Sequence, residues 1–91
     1  MIDMKILSPT GTIFDGTVAH ATFPGEAGSF SVYSLHAPLI STLKRGEIVY
    51  FPANATTAAS AYESVVIDSG FVEVLNDVLT VCVEQSKQLQ L

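Results

Sequence analysis

Positive charge is the scarcest feature of this sequence. Only four residues are Lys or Arg, against nine Asp or Glu, so the formal net charge is −5 at pH 7. Proteins that bind nucleic acid neutralise its phosphates with clustered basic side chains, and four basic residues are too few for such a footprint. The composition therefore excludes a nucleic-acid partner and favours solubility or a partner that exposes positive charge.

Cysteine and long apolar runs are also scarce. Cys82 is the only cysteine, so no disulfide can form within the chain, and a reducing compartment is indicated. No stretch approaches the ~20 apolar residues of a membrane-spanning helix. The first residues, MIDMKILSPTG, lack the apolar run of a secretory leader. We therefore expect neither a leader nor a helical membrane span.

Short strands are the predicted secondary structure. Turn-forming residues recur about every eight to twelve positions, which is typical of an all-β domain. The 91 residues are 48% apolar, which is enough for a core. The sequence predicts an all-β fold, a flattened β-sandwich or barrel of about eight to ten short strands. We expect one β-sandwich domain over residues 1–84 and a polar C-terminal tail over residues 85–91.

Alternation of apolar and polar residues predicts which side chains face the core. It places Ile2, Met4 and Ile6 on one face of the first strand. Within TVAHATF it groups Ala19, Ala21 and Phe23 on one face, and on the other face Val18, His20 and Thr22. Turns are predicted at SPTG, at Asp15-Gly16 and at PGEAG.

The clearest hairpins are predicted near the C-terminus. Ser69-Gly70 joins VVID to GFVEVL, and Asn76-Asp77 joins FVEVL to VLTVCVE. Asn and Asp tolerate the positive φ angles of a tight two-residue turn. Alternation predicts the following core-facing residues in the strands that flank Asn76-Asp77: Val72, Val74, Leu79, Val81 and Val83.

Residues suited to catalysis or metal binding do not form a recognisable motif. Ser29 or Ser34, His36 and Asp68 could supply a Ser-His-acid triad, but no GxSxG turn or oxyanion-hole glycines accompany them. Cys82 lies on a predicted strand without a neighbouring cation and is interpreted as a packing residue. The two histidines lack a third metal ligand. We expect no catalytic, cofactor-binding or metal-binding residues.

His36, in the sequence LHAPL, leaves two interpretations open. Its ring can pack near Pro38 and bond a carbonyl group, which is a structural role. It can also belong to an exposed loop that contacts another protein. Local sequence does not decide between them.

Three stretches in order carry a resemblance to a known family. They are MKILSPTGTIFDGTV, FPGEAGSFSVYSLHAPLISTLKRGEI and SGFVEVLNDVLTVCVE. Together they resemble the N-terminal β-sandwich domain of the epsilon subunit of F-type ATP synthases, over roughly residues 3–84. Three departures are visible, one of which is the segment over residues 53–61, where the family usually has a more charged hairpin. Ser34-Leu35 stands where the family often has Pro followed by Asn or Gly, and Ser69-Gly70 stands where it has paired glycines.

The resemblance implies a non-catalytic rotor subunit of the central stalk. Such a subunit bridges the gamma subunit and the ring of membrane c subunits (the c-ring), and helps couple proton or sodium flow to ATP synthesis. It implies a peripheral location on the cytoplasmic side of the bacterial inner membrane, with the plastid thylakoid less favoured. Carried over by position, contacts with the c-ring are expected at Ser29, Tyr33 and His36. Contacts with gamma are expected at Ser8, Pro38 and Ser41.

A further expectation concerns the C-terminus. Longer family members carry a C-terminal pair of helices that can restrain ATP hydrolysis and in some binds ATP; if the chain is complete at Leu91, the resemblance implies that both properties are missing.

Two other functional classes stay open. One is a free-standing β-sandwich that binds a small ligand or peptide, and the other is a small hydrolase that uses His36 and Asp68.

Overall fold

The computed structural model of the chain describes residues 1–53 and 62–85. All regular structure in these ranges is β-strand, which confirms the all-β prediction. None of the described residues forms a helix that could cross a membrane. The strands are β1 (Ile2–Ser8), β2 (Gly11–Gly25), β3 (Gly28–Tyr33), β4 (Leu39–Leu43), β5 (Gly46–Pro52), β6 (Glu63–Ile67), β7 (Ser69–Leu75) and β8 (Val78–Glu84). Most of the predicted tail, residues 86–91, lies outside the described part.

The eight strands form one mixed sheet that folds over itself into a sandwich. Its order is β1-β8-β7-β4-β2-β5-β6, with β3 paired to β2 and β1 also paired to β2. The long strand β2 takes part in both layers: its first half pairs with β1, and its second half lies between β3 and β5. Because one strand crosses from layer to layer, the two layers are joined by continuous backbone hydrogen bonding.

The core lies between these layers and is built by alternation along each strand. The predicted core residues of β1, β7 and β8 are all buried. The buried side chains are Ile2, Met4, Ile6, Val18, Ala21, Phe23, Val32, Leu43, Ile48, Tyr50, Ile67, Val72, Val74, Leu79, Val81 and Val83. No charged side chain is buried among the described residues. Burial of apolar area of this kind is the main force that stabilises the fold.

Strand directions define two ends of the sandwich. β1 runs parallel to β8, with Asp3 opposite Val78 and Leu7 opposite Cys82. The N-terminus therefore lies beside the β7–β8 turn, and the C-terminal ends of β1 and β8 lie together. We call the first the His36 end, because residues 34–38 also lie there, and the second the Ser8 end.

Two predicted turns are wrong. Ser69 and Gly70 belong to β7, which pairs with β4 and β8, whereas β6 pairs with β5. The chain changes layers at Asp68, whose N–H donates to the carbonyl of Glu84 at 2.8 Å, so no β6–β7 hairpin forms. Asp15-Gly16 lies within β2, because β1 provides a continuous partner there, with Met4 opposite Gly16.

The predicted faces of TVAHATF are also partly wrong. Ala21 and Phe23 are buried as a pair, but Val18 joins them in the core and Ala19 is exposed. The pairing of β2 with β5 shifts register between Val18 and His20. A β-bulge adds one residue on one strand and so reverses the alternation.

Candidate functional site

The loop over residues 34–38 joins β3 to β4 and is held from two sides. The N–H of Leu35 donates to Asp77 Oδ1 at 2.7 Å. The hydroxyl of Ser34 accepts from the α-ammonium group of Met1 at 2.8 Å. Asp77 lies in the β7–β8 turn, where Asn76 and Asp77 have φ angles of 52° and 61°. This confirms the predicted tight turn and shows that it also fixes the loop.

His36 is half-buried within that loop. Its Nδ1–H donates to the carbonyl of Ala37 at 2.7 Å, which is the bond that the structural interpretation requires. The ring also borders a surface depression lined by Leu35, Pro38 and the Asn76-Asp77 turn. The loop that the contact interpretation requires is exposed beside it, with Leu35 at 88% exposure. The His36 ring thus makes a structural hydrogen bond and also forms part of an accessible surface, so both interpretations remain compatible with its position.

Several exposed apolar side chains lie at the His36 end. We call Met1, Leu35, Leu75 and Val78 the end patch. Their exposed fractions are 70%, 88%, 46% and 45%. Leu75 and Val78 are paired directly across the β7–β8 turn. Met1 is hydrogen-bonded to Ser34 in the loop, and Leu35 in the loop is hydrogen-bonded to Asp77 in the turn. Grouped apolar side chains on a surface mark sites of contact with other proteins.

Tyr33 belongs to a row of neighbouring rings beside this end, in which the rings of Tyr33, His20 and Phe51 are stacked and that of Tyr62 is tilted. Its ring lies 4.8 Å from that of His20, which lies 4.3 Å from that of Phe51, and Tyr62 follows at 5.7 Å. The row crosses β3, β2 and β5 on the outer face of one layer. Sequence reasoning missed His20 as part of this surface, because its neighbours come from strands whose pairing the sequence does not show.

The residues expected at the c-ring do not all lie together. Tyr33 ends β3 at the His36 end, close to the loop that carries His36. Ser29 is exposed on the same face of β3 but lies four residues earlier, about 13 Å away at the usual rise of a strand. The structure therefore brings Tyr33 and His36 to one end and leaves Ser29 toward the other.

The residues expected at gamma are spread along the molecule. Ser8 lies at the Ser8 end, where its hydroxyl donates to the carbonyl of Gly11 at 3.1 Å. Ser41 is half-buried in the middle of β4, and its hydroxyl donates to the carbonyl of Thr42 at 3.2 Å. Pro38 lies at the opposite end, in the His36 depression.

A hollow at the Ser8 end is lined by residues of both β1 and β4. It measures about 540 Å³, and its lining includes Leu7, Ser8, Thr42, Leu43, Phe71 and Val83. Two acidic side chains, Glu26 and Glu84, also border it. The hydroxyl of Thr42 donates to the Glu26 carboxylate at 3.1 Å and so ties the β2–β3 turn to β4. The hollow is thus mainly apolar with an acidic border.

The residues considered for hydrolysis are separated. His36 lies at the His36 end, whereas Asp68 lies next to the start of β7 at the Ser8 end. The seven residues of β7 span about 20 Å between these positions. Asp68 instead pairs with Arg45, with Arg45 Nε 3.3 Å from Asp68 Oδ1. The fold thus excludes a triad built from these two residues.

Metal binding finds no support within the described ranges. Among them, no three His, Cys, Asp or Glu side chains are grouped so that they could hold a metal ion. Cys82 is a half-buried free thiol on β8. Among the described residues, a clearly shifted pKa is found at Tyr50, where burial, followed by the hydrogen bond and charge of Glu63, raises the pKa to about 12. With its pKa raised in this way, the Tyr50 phenol stays neutral near pH 7.

Comparison with known proteins identifies the family. The family described as "ATP synthase, Delta/Epsilon chain, beta-sandwich domain" matches residues 1–88. The chain belongs to this family. The match confirms the resemblance carried by the three sequence stretches.

Curated relatives of the family agree with this assignment. The chain is 39% identical over 90 residues to the ATP synthase epsilon chain of Nitratiruptor sp., covering 98% of this chain and 65% of that one. It is 37% identical over 83 residues to the epsilon chain of Sulfurovum sp., covering 91% and 60%. The chain thus spans a little under two thirds of the length of these relatives.

Solved structures with the family fold are also similar. A chain in the cryo-EM structure of the Tetrahymena thermophila mitochondrial ATP synthase central stalk and c-ring superposes with a TM-score of 0.74 at 14% identity, covering 92% of this chain and 63% of that one. A chain in the Euglena gracilis mitochondrial ATP synthase structure, which contains OSCP, F1 and the c-ring, gives a TM-score of 0.79 at 19% identity, covering 90% and 49%. At these identities the likeness establishes the fold.

Proposed function

We propose that this chain is a non-catalytic rotor subunit in the central stalk of an F-type ATP synthase. Membership of the delta/epsilon β-sandwich family over residues 1–88 is the observation that carries the proposal. The separation of His36 from Asp68 favours a binding role over catalysis by the chain itself. In this role the β-sandwich, residues 1–84, links the gamma subunit to the c-ring and helps couple ion flow to ATP synthesis.

The construction of the sandwich suits the transmission of torque. β2 is hydrogen-bonded in both layers, and the parallel β1–β8 ladder joins residues 3–7 to residues 78–82. Close-packed interiors have low compressibility and pass strain on with little deformation. A body of this kind moves as a unit when one end is pushed.

The His36 end is the proposed c-ring surface. Tyr33 and His36 lie there together with the end patch, which offers apolar area for burial. Ser29 extends the same outer face of β3 toward the other end. Apolar area in the centre of an interface supplies much of the binding free energy, so the end patch supports this assignment.

The hollow at the Ser8 end is the centre of the proposed gamma surface. Ser8 borders it, and Ser41 lies on the strand whose far end forms one wall. Its apolar lining and acidic border, Glu26 and Glu84, suit an apolar side chain of gamma flanked by basic residues. Pro38, also expected at gamma, lies instead at the His36 end, beside the proposed c-ring surface, and is left out of the proposed gamma surface.

Bacterial relatives support a location at the cytoplasmic side of the bacterial inner membrane. The relatives in Nitratiruptor and Sulfurovum are both named ATP synthase epsilon chain. Contact with the membrane is proposed to be peripheral and to occur only through the complex.

A pull-down from the native host tests the proposal. Tagged protein is expected to recover gamma in an amount comparable to its own, and c subunits in excess because they form a ring, from detergent-solubilised membranes. An untagged strain controls for adsorption to the resin. Recovery of an intact synthase that lacks this chain would contradict the rotor role, and a stable monomer without partners would favour the ligand-binding alternative.

A further inference from the structure

Leu35 has an exposure and a backbone conformation that its own fold does not explain. Its side chain is 88% exposed and its φ angle is 66°. This left-handed conformation is rare for a bulky L-residue, whereas Gly or Asn adopts it readily. The chain therefore carries an unfavourable conformation here without gaining burial in return. Strained positions of this kind are concentrated where a protein contacts a ligand or partner.

Asp77 holds Leu35 in this conformation from a distant part of the chain. Its Oδ1 accepts the N–H of Leu35 at 2.7 Å, across 42 residues of sequence. Its own carbonyl accepts the N–H of Asp3 at 3.0 Å. A carboxylate is a strong acceptor for a backbone N–H, and a loop fixed before binding loses less entropy when it binds. Asp77 therefore joins the loop, β1 and the β7–β8 turn.

We propose that Leu35 is the apolar anchor of the c-ring contact and that Asp77 is the residue that positions it. The choice of partner rests on the function proposed above. Leu35 directly precedes His36 and projects from the end that carries Tyr33. It is the most exposed member of the end patch.

Substitution of Leu35 tests the anchor. The complex of this chain with gamma is titrated against purified, detergent-solubilised c-ring. L35N removes the apolar group and adopts the positive φ more readily, so binding is expected to weaken at least tenfold while the thermal midpoint stays or rises. L35M keeps apolar length and is expected to stay within about threefold of the original affinity. V66T is the matched control, because Val66 is 64% exposed on β6, away from the loop.

Substitution of Asp77 tests the positioning. Glycine is well suited to a positive-φ turn, so D77G keeps the hairpin but removes the carboxylate that holds Leu35. Exchange of the Leu35 amide hydrogen, followed by NMR, is expected to become at least tenfold faster, with weaker c-ring binding. D77N retains an acceptor oxygen, so its Leu35 amide exchange and its c-ring binding are both expected to stay close to those of the original protein. A merely structural turn residue would not alter the Leu35 amide selectively.

The outcomes separate this inference from the proposed function. If the original complex binds the c-ring and L35N binds equally well, Leu35 is not the anchor and the rotor role stands. If D77G leaves exchange of the Leu35 amide unchanged, Asp77 does not position the loop. If the original complex does not bind the c-ring, both the c-ring role and this inference are wrong.

Discussion

Residues with positive φ angles are concentrated at one end of the molecule. Leu35, Asn76 and Asp77 are the non-glycine residues of the described ranges that adopt them, and all three lie at the His36 end. For a bulky residue such as Leu35 this conformation costs about 1–2 kcal/mol, whereas Asn and Asp adopt it more readily. The hydrogen bond from Leu35 to Asp77 offsets part of this cost. Backbone strain is thus located at the surface for which a partner is proposed.

Glycine is required at position 70 by a close approach of two strands. A Cβ atom added there would collide with the carbonyl oxygen of Cys82 on β8, which backbone hydrogen bonding holds in place. We expect G70A to lower the free energy of unfolding by about 2–3 kcal/mol, measured by urea denaturation. G16A is the control, because its added Cβ would meet the side-chain ring of Phe14 at 3.1 Å, and a ring can move. Equal losses for both variants would contradict this explanation.

Tyr50 makes stability depend on alkaline pH. Burial, followed by the hydrogen bond and charge of Glu63, raises the pKa of Tyr50 to about 12, above the ordinary value of about 10. The folded state therefore holds this proton more tightly than the unfolded state. The stabilisation is complete below about pH 10 and is lost as the pH rises from about 10 to 12.

The Tyr50 prediction can be measured by urea denaturation at several pH values. Stability is expected to fall by about 2 kcal/mol between pH 8 and pH 12. Y50F is expected to flatten this profile, whereas Y33F, at an exposed ring, is expected to keep it. An unchanged slope in Y50F would show that other groups cause the alkaline loss.

The sequence predicts single residues well where their environment is local. The core faces of β1, β7 and β8 follow from alternation alone, and the Asn76-Asp77 turn follows from residue type. The bond between Leu35 and Asp77 could not be predicted, because it depends on the β3–β4 loop and the β7–β8 turn meeting at one end. The same holds for the stacking of His20 between Tyr33 and Phe51.

Elements were mispredicted where a strand continues through residues that usually form turns. Asp15-Gly16 and Ser69-Gly70 both have turn composition, but β1 and β8 pair along them. In the second case glycine serves close strand packing, not a turn. The β2 bulge between Val18 and His20 is a further feature that depends on the partner strand. Local composition cannot distinguish these cases, since the deciding hydrogen bonds come from distant segments.

The β7–β8 hairpin depends on Asn76 at the first turn position. With a φ angle of 52°, this position suits Gly, or Asn, whose side chain can hydrogen-bond to the local backbone. It disfavours residues such as Ala, which carry a Cβ without that ability. N76A is expected to reduce the free energy of unfolding by about 1 kcal/mol, and N76G is expected to leave it within about 0.5 kcal/mol. Thermal denaturation of both variants measures the difference. If N76A proves as stable as N76G, the turn is able to change type without cost.

At the scale of the whole molecule, the two proposed surfaces lie at opposite ends. The end patch lies around the β7–β8 turn. The hollow lies at the other end, where residues of β1, β4, β7 and β8 line it. The β7 strand connects them directly, since Phe71 borders the hollow and Leu75 belongs to the end patch. A body with two separated contact surfaces and a rigid core can link two partners without chemistry of its own.

This separation predicts that the two contacts can be disrupted independently. Phe71 and Leu75 are four strand residues apart, about 13 Å, and effects of substitutions more than about 10 Å apart usually add. L35N is expected to weaken c-ring binding without changing gamma binding. F71S, at a side chain that is 47% exposed, is expected to weaken gamma binding at least fivefold without changing c-ring binding.

The combination of the two variants makes this prediction quantitative. Titrations of L35N, F71S and L35N/F71S against gamma and against the c-ring are compared, with V66T as the control at a third surface. The double variant is expected to show the sum of the two single losses within about 0.5 kcal/mol. If F71S alone abolished c-ring binding while its thermal midpoint stayed unchanged, the ends would be coupled through the sheet. The view of the sandwich as a rigid body with two independent surfaces would then be wrong.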